Sequence, residues 1–279
     1  MKYYITVILA VILLLSPFNG FGATPSPEQM AEWRKAAAQG NAHAQFNLGV
    51  MYAKGDGVPK NDAEAIKWYK LAATQGNADA QYNLGVRYEK GISARQDYVE
   101  AVKLYRLAAQ QGLAQAQFNL GVMHTKGLGV PRDYAEALKW LRLAAQQGYA
   151  PAQFGIGVMY GEGKGVPKNY AEELKWYRLS AKKGYAQAQF NLGVMYYQGK
   201  GVPRDYAEVF KWFRLSAQQG YASAQYNLGV MYKNGEGVPQ NYPEALNWFH
   251  LAAQQGIPEA QSEMKILMDY VKKTINDRQ

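Results

Sequence analysis

Apolar positions recur along this chain at helical spacing. From Ala42 to Lys54, Leu48 and Tyr52 lie four apart and share a face, with Gln45 and Gly49 nearby. From Asp62 to Gln75, Ala65, Tyr69 and Ala72 mark one face of a second helix. Gly55 and Gly76 close the two helices, because glycine takes the left-handed cap conformation without a Cβ penalty. Gly57-Val58-Pro59 makes the turn between them, and proline suits a helix start. Asp62 is the expected N-cap of the second helix. The predicted unit is helix–turn–helix, with helix A first and helix B second.

This unit repeats with a period of 36 residues that never slips. Gln45, Gln81, Gln117, Gln153, Gln189, Gln225 and Gln261 mark it. A fixed period of this size predicts stacked units, each needing only its neighbours, so one solenoid runs along the chain. Gly49, Gly85, Gly121, Gly157, Gly193 and Gly229 hold one slot inside helix A. A mid-helix glycine costs about 1 kcal/mol against alanine, so its repetition predicts a neighbour packed too close for a side chain. Trp68, Trp140, Trp176, Trp212 and Trp248 hold a packing slot in helix B, where the second unit has Leu104. Glutamates such as Glu64 and Glu100 stand three residues before Lys67 and Lys103, a surface ion-pair spacing of small energetic weight.

Residues 1–22 form a different object. Lys2 precedes a mostly apolar run from Tyr3 to Leu15, which Ser16, Pro17, Asn19 and Gly20 break. The run is short for a transmembrane helix and fits a secretory leader; Gly20 and Gly22 place cleavage after Gly22. An uncleaved membrane anchor is the alternative. The expected location is periplasmic or secreted. The expected organisation is a signal peptide over 1–22, a half repeat over 23–40, six repeats over 41–256 and a capping helix over 257–279. The chain has no cysteine, so no disulfide framework supports it.

The formal charge is +9, and loss of Lys2 with the leader lowers it by one. Export argues against nucleic acid as the partner. An exported basic solenoid is better suited to acidic proteins, anionic glycans or a membrane surface.

Taken together, Ala-x-Ala-Gln-x-Asn-Leu-Gly-x-Met-Tyr, Gly-x-Gly-Val-Pro-x-(Asp/Asn)-Tyr and Ala-x-x-Trp-(Tyr/Phe)-Arg-x-Ala-Ala-x-x-Gly resemble the Sel1-like repeat family, a relative of the tetratricopeptide repeat with a slightly longer unit. The resemblance covers Pro27 to Gln261. It implies an all-α, right-handed α/α superhelical solenoid that acts as an adaptor between proteins. For exported bacterial members it implies a role in envelope processes or host contact. Two units depart from the pattern. The second reads Gly91-Ile92-Ser93-Ala94-Arg95, without the second glycine and the proline, and has Arg87 for methionine. The fourth has Gly155 in the asparagine slot. After Gln261 the last helix A loses the pattern and reads as a cap.

Analogy with tetratricopeptide repeats puts helix A on the concave face. Slots that change between units while facing the groove are candidates for recognition. One such slot includes His43 and Asp79, and another includes Glu89 and Tyr197. A third runs Lys54, Lys90 and Lys126, then Glu162, Gln198 and Asn234. Its basic half is a candidate seat for an acidic peptide or chain terminus; equally, lysine at a helix C-terminus suits the dipole without any partner. Asn47, Asn83, Asn119, Asn191 and Asn227 could clamp an extended peptide, or brace the repeat itself. The neighbouring aromatic slot, Phe46 to Tyr226, could stack on a peptide or sugar, or pack between helices.

Catalysis finds little support. His43, His124 and His250 occupy three different slots without metal-ligand spacing, and no nucleophile-elbow or phosphate-loop pattern occurs. No cofactor is expected. Some exported relatives have been described as β-lactamases, but they resemble cysteine-rich chains; this chain also lacks a Ser-x-x-Lys tetrad. The readings that remain are a non-catalytic scaffold for a protein or peptide and a binder of cell-wall or anionic glycans. Salt sensitivity separates them in part.

Overall fold

The computed structural model describes residues 25–276, and the leader assigned to 1–22 lies outside them. Among the described residues there are fourteen helices and no strand. A single helix, α1 (Pro27–Ala38), precedes six pairs. The pairs are α2 (Ala42–Lys54) with α3 (Asp62–Thr74), α4 (Ala78–Lys90) with α5 (Tyr98–Gln110), and α6 (Ala114–Lys126) with α7 (Tyr134–Gln146). Then come α8 (Ala150–Glu162) with α9 (Tyr170–Lys182), α10 (Ala186–Gln198) with α11 (Tyr206–Gln218), and α12 (Ala222–Asn234) with α13 (Tyr242–Gln254). The final helix is α14 (Pro258–Asn276). Each helix packs chiefly on the ones before and after it, which makes the chain an all-α solenoid.

The glycine slot sets how closely each pair packs. A Cβ on Gly49 would lie 2.6 Å from the Tyr69 ring, and one on Gly193 would lie 2.6 Å from Phe213. Both rings are almost fully buried. The aromatic therefore fills the space that glycine leaves empty. Small residues serve the same contact: the Ala101 and Ala137 carbonyls lie 3.4 and 3.1 Å from where Cβ atoms on Gly85 and Gly121 would stand, and both alanines are completely buried.

Helix starts follow two rules. Each helix B is capped by the Asn or Asp just before it. In the first unit Asn61 Oδ1 accepts from Glu64 N at 3.0 Å. The cap is therefore Asn61, and Asp62 is the first helical residue rather than the cap. Unit one presents two capping residues in a row, and the earlier one wins. Among the A helices of the six pairs, α2 and α4 are capped by Asn41 and Asn77, whereas Tyr149, Tyr185 and Tyr221 cap nothing. Those tyrosines pack instead on Phe118, Phe154 and Phe190, with ring centroids 5.2–5.6 Å apart. A cap and an aromatic pair are each worth about 1 kcal/mol, so the exchange costs little.

The turn of the second unit shows what its missing glycine does. Ser93 stands where the other units have glycine, and it is the one non-glycine with positive φ, 51°, among the described residues. A side chain here carries a strain that glycine avoids.

Candidate functional site

A row of buried glutamines fixes the angle between units. Gln45 Nε2 donates to the Ala37 carbonyl at 3.1 Å, and its Oε1 accepts from Gln75 Nε2 at 2.7 Å. Gln81, Gln117, Gln189 and Gln225 make the same two bonds, with Gln111, Gln147, Gln219 and Gln255 as donors. The donor slot recurs with the period of the chain, but spacing alone does not pair it with the buried row. In the fourth unit that slot holds Lys183, and Gln153 Oε1 has no hydrogen-bond partner.

Above this scaffold, the A helices present a cleft. One stretch is lined by Val122, Thr125 and Lys126 of α6 and by Gly155, Val158 and Glu162 of α8. It continues as a cavity of about 150 Å³ that includes Val158, Gly161, Asn191, Val194 and Gln198. Thus the slots of Asn47, Val50, Ala53 and Lys54 share one face in these units. Glu173 reaches the floor of the cavity from helix B. Its carboxyl occupies the space that a Cβ on Gly161 would need. Burial pushes its pKa up, opposed by the Tyr177 hydroxyl and by Lys200 and Lys168.

The basic candidates stand free of acids. Lys54, Lys90 and Lys126 are exposed, and none makes an ion pair among the described residues. The next member of the slot, Glu162, pairs with Lys164 at 2.6 Å. The positive edge is therefore confined to the first three units. His43 is exposed and lies near Asp79, whose pKa is raised by burial and pulled back by that histidine.

Other candidates are engaged within the protein. Asn83, Asn191 and Asn227 each donate from Nδ2 to the carbonyl four residues earlier, at 2.7–2.9 Å. Their donors brace helix A, leaving the side-chain carbonyl as the remaining polar handle. Asn47, Asn83 and Asn191 are half-buried, while Asn119 and Asn227 are buried. Glu89 accepts from the Tyr105 hydroxyl. Tyr197 packs edge-on to Tyr206, and Arg204 lies over its ring at 5.7 Å. Most of the neighbouring aromatic slot packs on helix B, with Phe46 on Tyr69, Phe154 on Tyr177 and Phe190 on Phe213, whereas Phe118 lines the cleft.

The departures from the motif also serve buried hydroxyls. Arg87, in the methionine slot, bonds to Asp62 at 2.8 Å and lies over the Tyr69 ring. Burial pushes the Tyr69 hydroxyl up to about 12, and Arg87 pulls it down. Glu89 and Glu173 attend to Tyr105 and Tyr177. Where this slot holds Leu141, Phe213 or Phe249 there is no hydroxyl to serve.

Among the described residues, no group of three His, Asp or Glu could hold a metal ion, and no helix is long and apolar enough to cross a membrane.

Comparison with known proteins matches the Sel1 repeat to residues 42–77, 78–113, 114–149, 150–185, 186–221 and 222–257. The structure is similar to a protective antigen present in uropathogenic Escherichia coli strains, described as displaying an SLR fold. That match has 40% identity and a TM-score of 0.77, and covers 87% of this chain and 52% of the other. The chain thus spans about half the length of that antigen. A Sel1 repeat protein from Oxalobacter formigenes is 38% identical with a TM-score of 0.76, over 81% of this chain and 90% of the other. An immunity protein from Pseudomonas aeruginosa, 21% identical with a TM-score of 0.53 over 76% of this chain and 80% of its own, shares the fold alone. No curated protein matches.

Proposed function

Because the chain belongs to the Sel1 repeat family, whose unit fills residues 42–257, we propose that it is a non-catalytic scaffold that seats an acidic segment of a partner protein along its helix-A face. Sel1-repeat proteins are generally protein-interaction scaffolds. The observation that carries the finer reading is the unpaired row Lys54, Lys90 and Lys126, one lysine per unit, at the edge of that face. An extended acidic segment offers carboxylates to such a row, and the half-buried carbonyls of Asn47 and Asn83 are available to its backbone N–H groups. His43, Asp79, Glu89 and Tyr197, in slots that vary, would set which sequence fits. The apolar run after Lys2 supports export to the periplasm or beyond, and with it an envelope or host-contact setting. The glycan reading has less support, because most of the aromatic slot that would stack on sugars packs on helix B, with Phe118 alone among its members named in the cleft lining.

The test is a crosslinked pull-down from envelope and culture medium, with the chain from Ala23 onward as bait and K54E/K90E/K126E as a second bait. A specific protein captured by the first bait and lost by the second is the expected result. Equal capture by both would move the site off this edge. Recovery of wall fragments alone, released by salt, would replace the scaffold reading with the glycan one.

A further inference from the structure

The helix-B face carries a regularity that the scaffold function does not use. In α3, positions 67, 70, 71 and 74 fall at i, i+3, i+4 and i+7 and form one outward stripe. In all six pairs the third of these is leucine: Leu71, Leu107, Leu143, Leu179, Leu215 and Leu251, each 37–48% exposed. The slot just before it is basic in five units: Lys70, Arg106, Arg142, Arg178 and Arg214. No acid occurs at any of the four stripe positions in any pair. In the second unit Lys103, Arg106 and Leu107 border an open cleft of about 510 Å³ with Val99 and Val130, and Val99 is 53% exposed.

The basic row is held in place without being neutralised. Arg178 Nη2 donates to the Tyr196 hydroxyl at 2.7 Å, and Lys70 Nζ lies over the Tyr88 ring at 5.9 Å. A neutral tyrosine orients the cation and leaves its charge for another partner. The lysines of the 67 slot differ, because the glutamate one turn before them answers their charge.

The regularity points to the kind of partner. A protein shows a different surface to each unit, so a face that recognises one should vary from unit to unit, as the slots of His43 and Lys54 do. A face that repeats unchanged suits a partner that is itself uniform. Anionic polymers and lipid bilayers both are, but only a bilayer has an apolar layer beneath its charges to receive leucine. We propose that the helix-B face docks on anionic lipid bilayers, with the Arg row against lipid phosphates and the Leu row in the interface. The helix-A face would then be turned away from the bilayer and remain open.

The test is co-sedimentation of the purified protein with phosphatidylcholine vesicles, with and without phosphatidylglycerol, with fold checked by circular dichroism. Binding is expected only to the anionic vesicles. L107S/L143S/L179S should lower partitioning by about tenfold, and R106Q/R142Q/R178Q by at least about as much, with a flatter salt dependence. R106K/R142K/R178K should retain binding, which shows that a loss in the Gln variant comes from charge. No binding to anionic vesicles would overturn the proposal. Undiminished binding by a folded Leu→Ser variant would overturn it too, in favour of charge-led binding to an acidic protein or glycan. So would an equal loss in K54Q/K90Q/K126Q, which removes the same number of charges from the ends of the A helices.

Discussion

Gln219 donates from Nε2 to Gln189 Oε1 at 2.7 Å, and Gln189 in turn donates to the Ala181 carbonyl at 3.2 Å. The relay ties the end of helix B to the preceding unit through a buried amide. Only the fourth unit lacks the first link, because Lys183 cannot offer the amide that Gln153 Oε1 would accept. K183Q should restore the pair and stabilise the protein by about 1 kcal/mol, read as a rise in the urea midpoint. Conversely, Q189L should cost about 1 kcal/mol by leaving the Gln219 amide without its acceptor, while the Ala181 carbonyl keeps the Gly184 N–H.

The two glycine slots of helix A should respond oppositely to alanine. At Gly193 the new Cβ would meet the Phe213 ring at 2.6 Å, an overpacking cost of about 1–3 kcal/mol against about 1 kcal/mol gained in helix propensity. G193A should therefore be net destabilising. At Gly155 the nearest atoms are Leu141 methyls at 3.6 Å, an ordinary contact. G155A should keep the propensity gain and raise the melting temperature.

Ser93 pays for a backbone conformation that the other units give to glycine. S93G should stabilise the protein by about 1 kcal/mol. Thermal denaturation of the two forms measures it; no change would mean that the serine side chain recovers the strain elsewhere.

His124 replaces a recurrent tyrosine and is buried, with neither ring nitrogen hydrogen-bonded. Burial pushes its pKa below the ordinary 6.5, with Arg106 and Lys139 acting in the same sense and Glu136 and Asp133 opposing. The folded imidazole therefore stays neutral while the unfolded one takes up a proton. This contribution to stability is complete above about pH 6.5 and is lost as pH falls from there toward the folded value. H124Y should remove this part of the acid sensitivity, seen as a smaller drop in melting temperature between about pH 7.5 and 5.5.

The architecture was legible because sequence and packing share one period. A glycine that recurs inside a helix has few explanations, and the Tyr69 and Phe213 rings supply the expected one. Spacing alone places the cap of α3 at Asp62, one residue late, because Asn61 and Asp62 are both good caps; the Asp-Tyr of later units marks the true start. The glutamine relay was harder to see. Both its members recur, but pairing them needs the angle between helices, which residue spacing does not contain. The asparagine slot shows the same limit: its residue type allows a clamp or a brace, and only the direction of Nδ2 shows that three of the donors serve the helix.

Packing between neighbours alone has a consequence for how such a surface changes. The residues that hold a unit in the stack, such as Gly193, Phe213 and Gln189, are not those at its cleft edge, such as Gln198. An edit at the edge of one unit leaves the joints of the others intact. On the proposed reading, recognition could be rewritten one unit at a time, like a word spelled in separate letters.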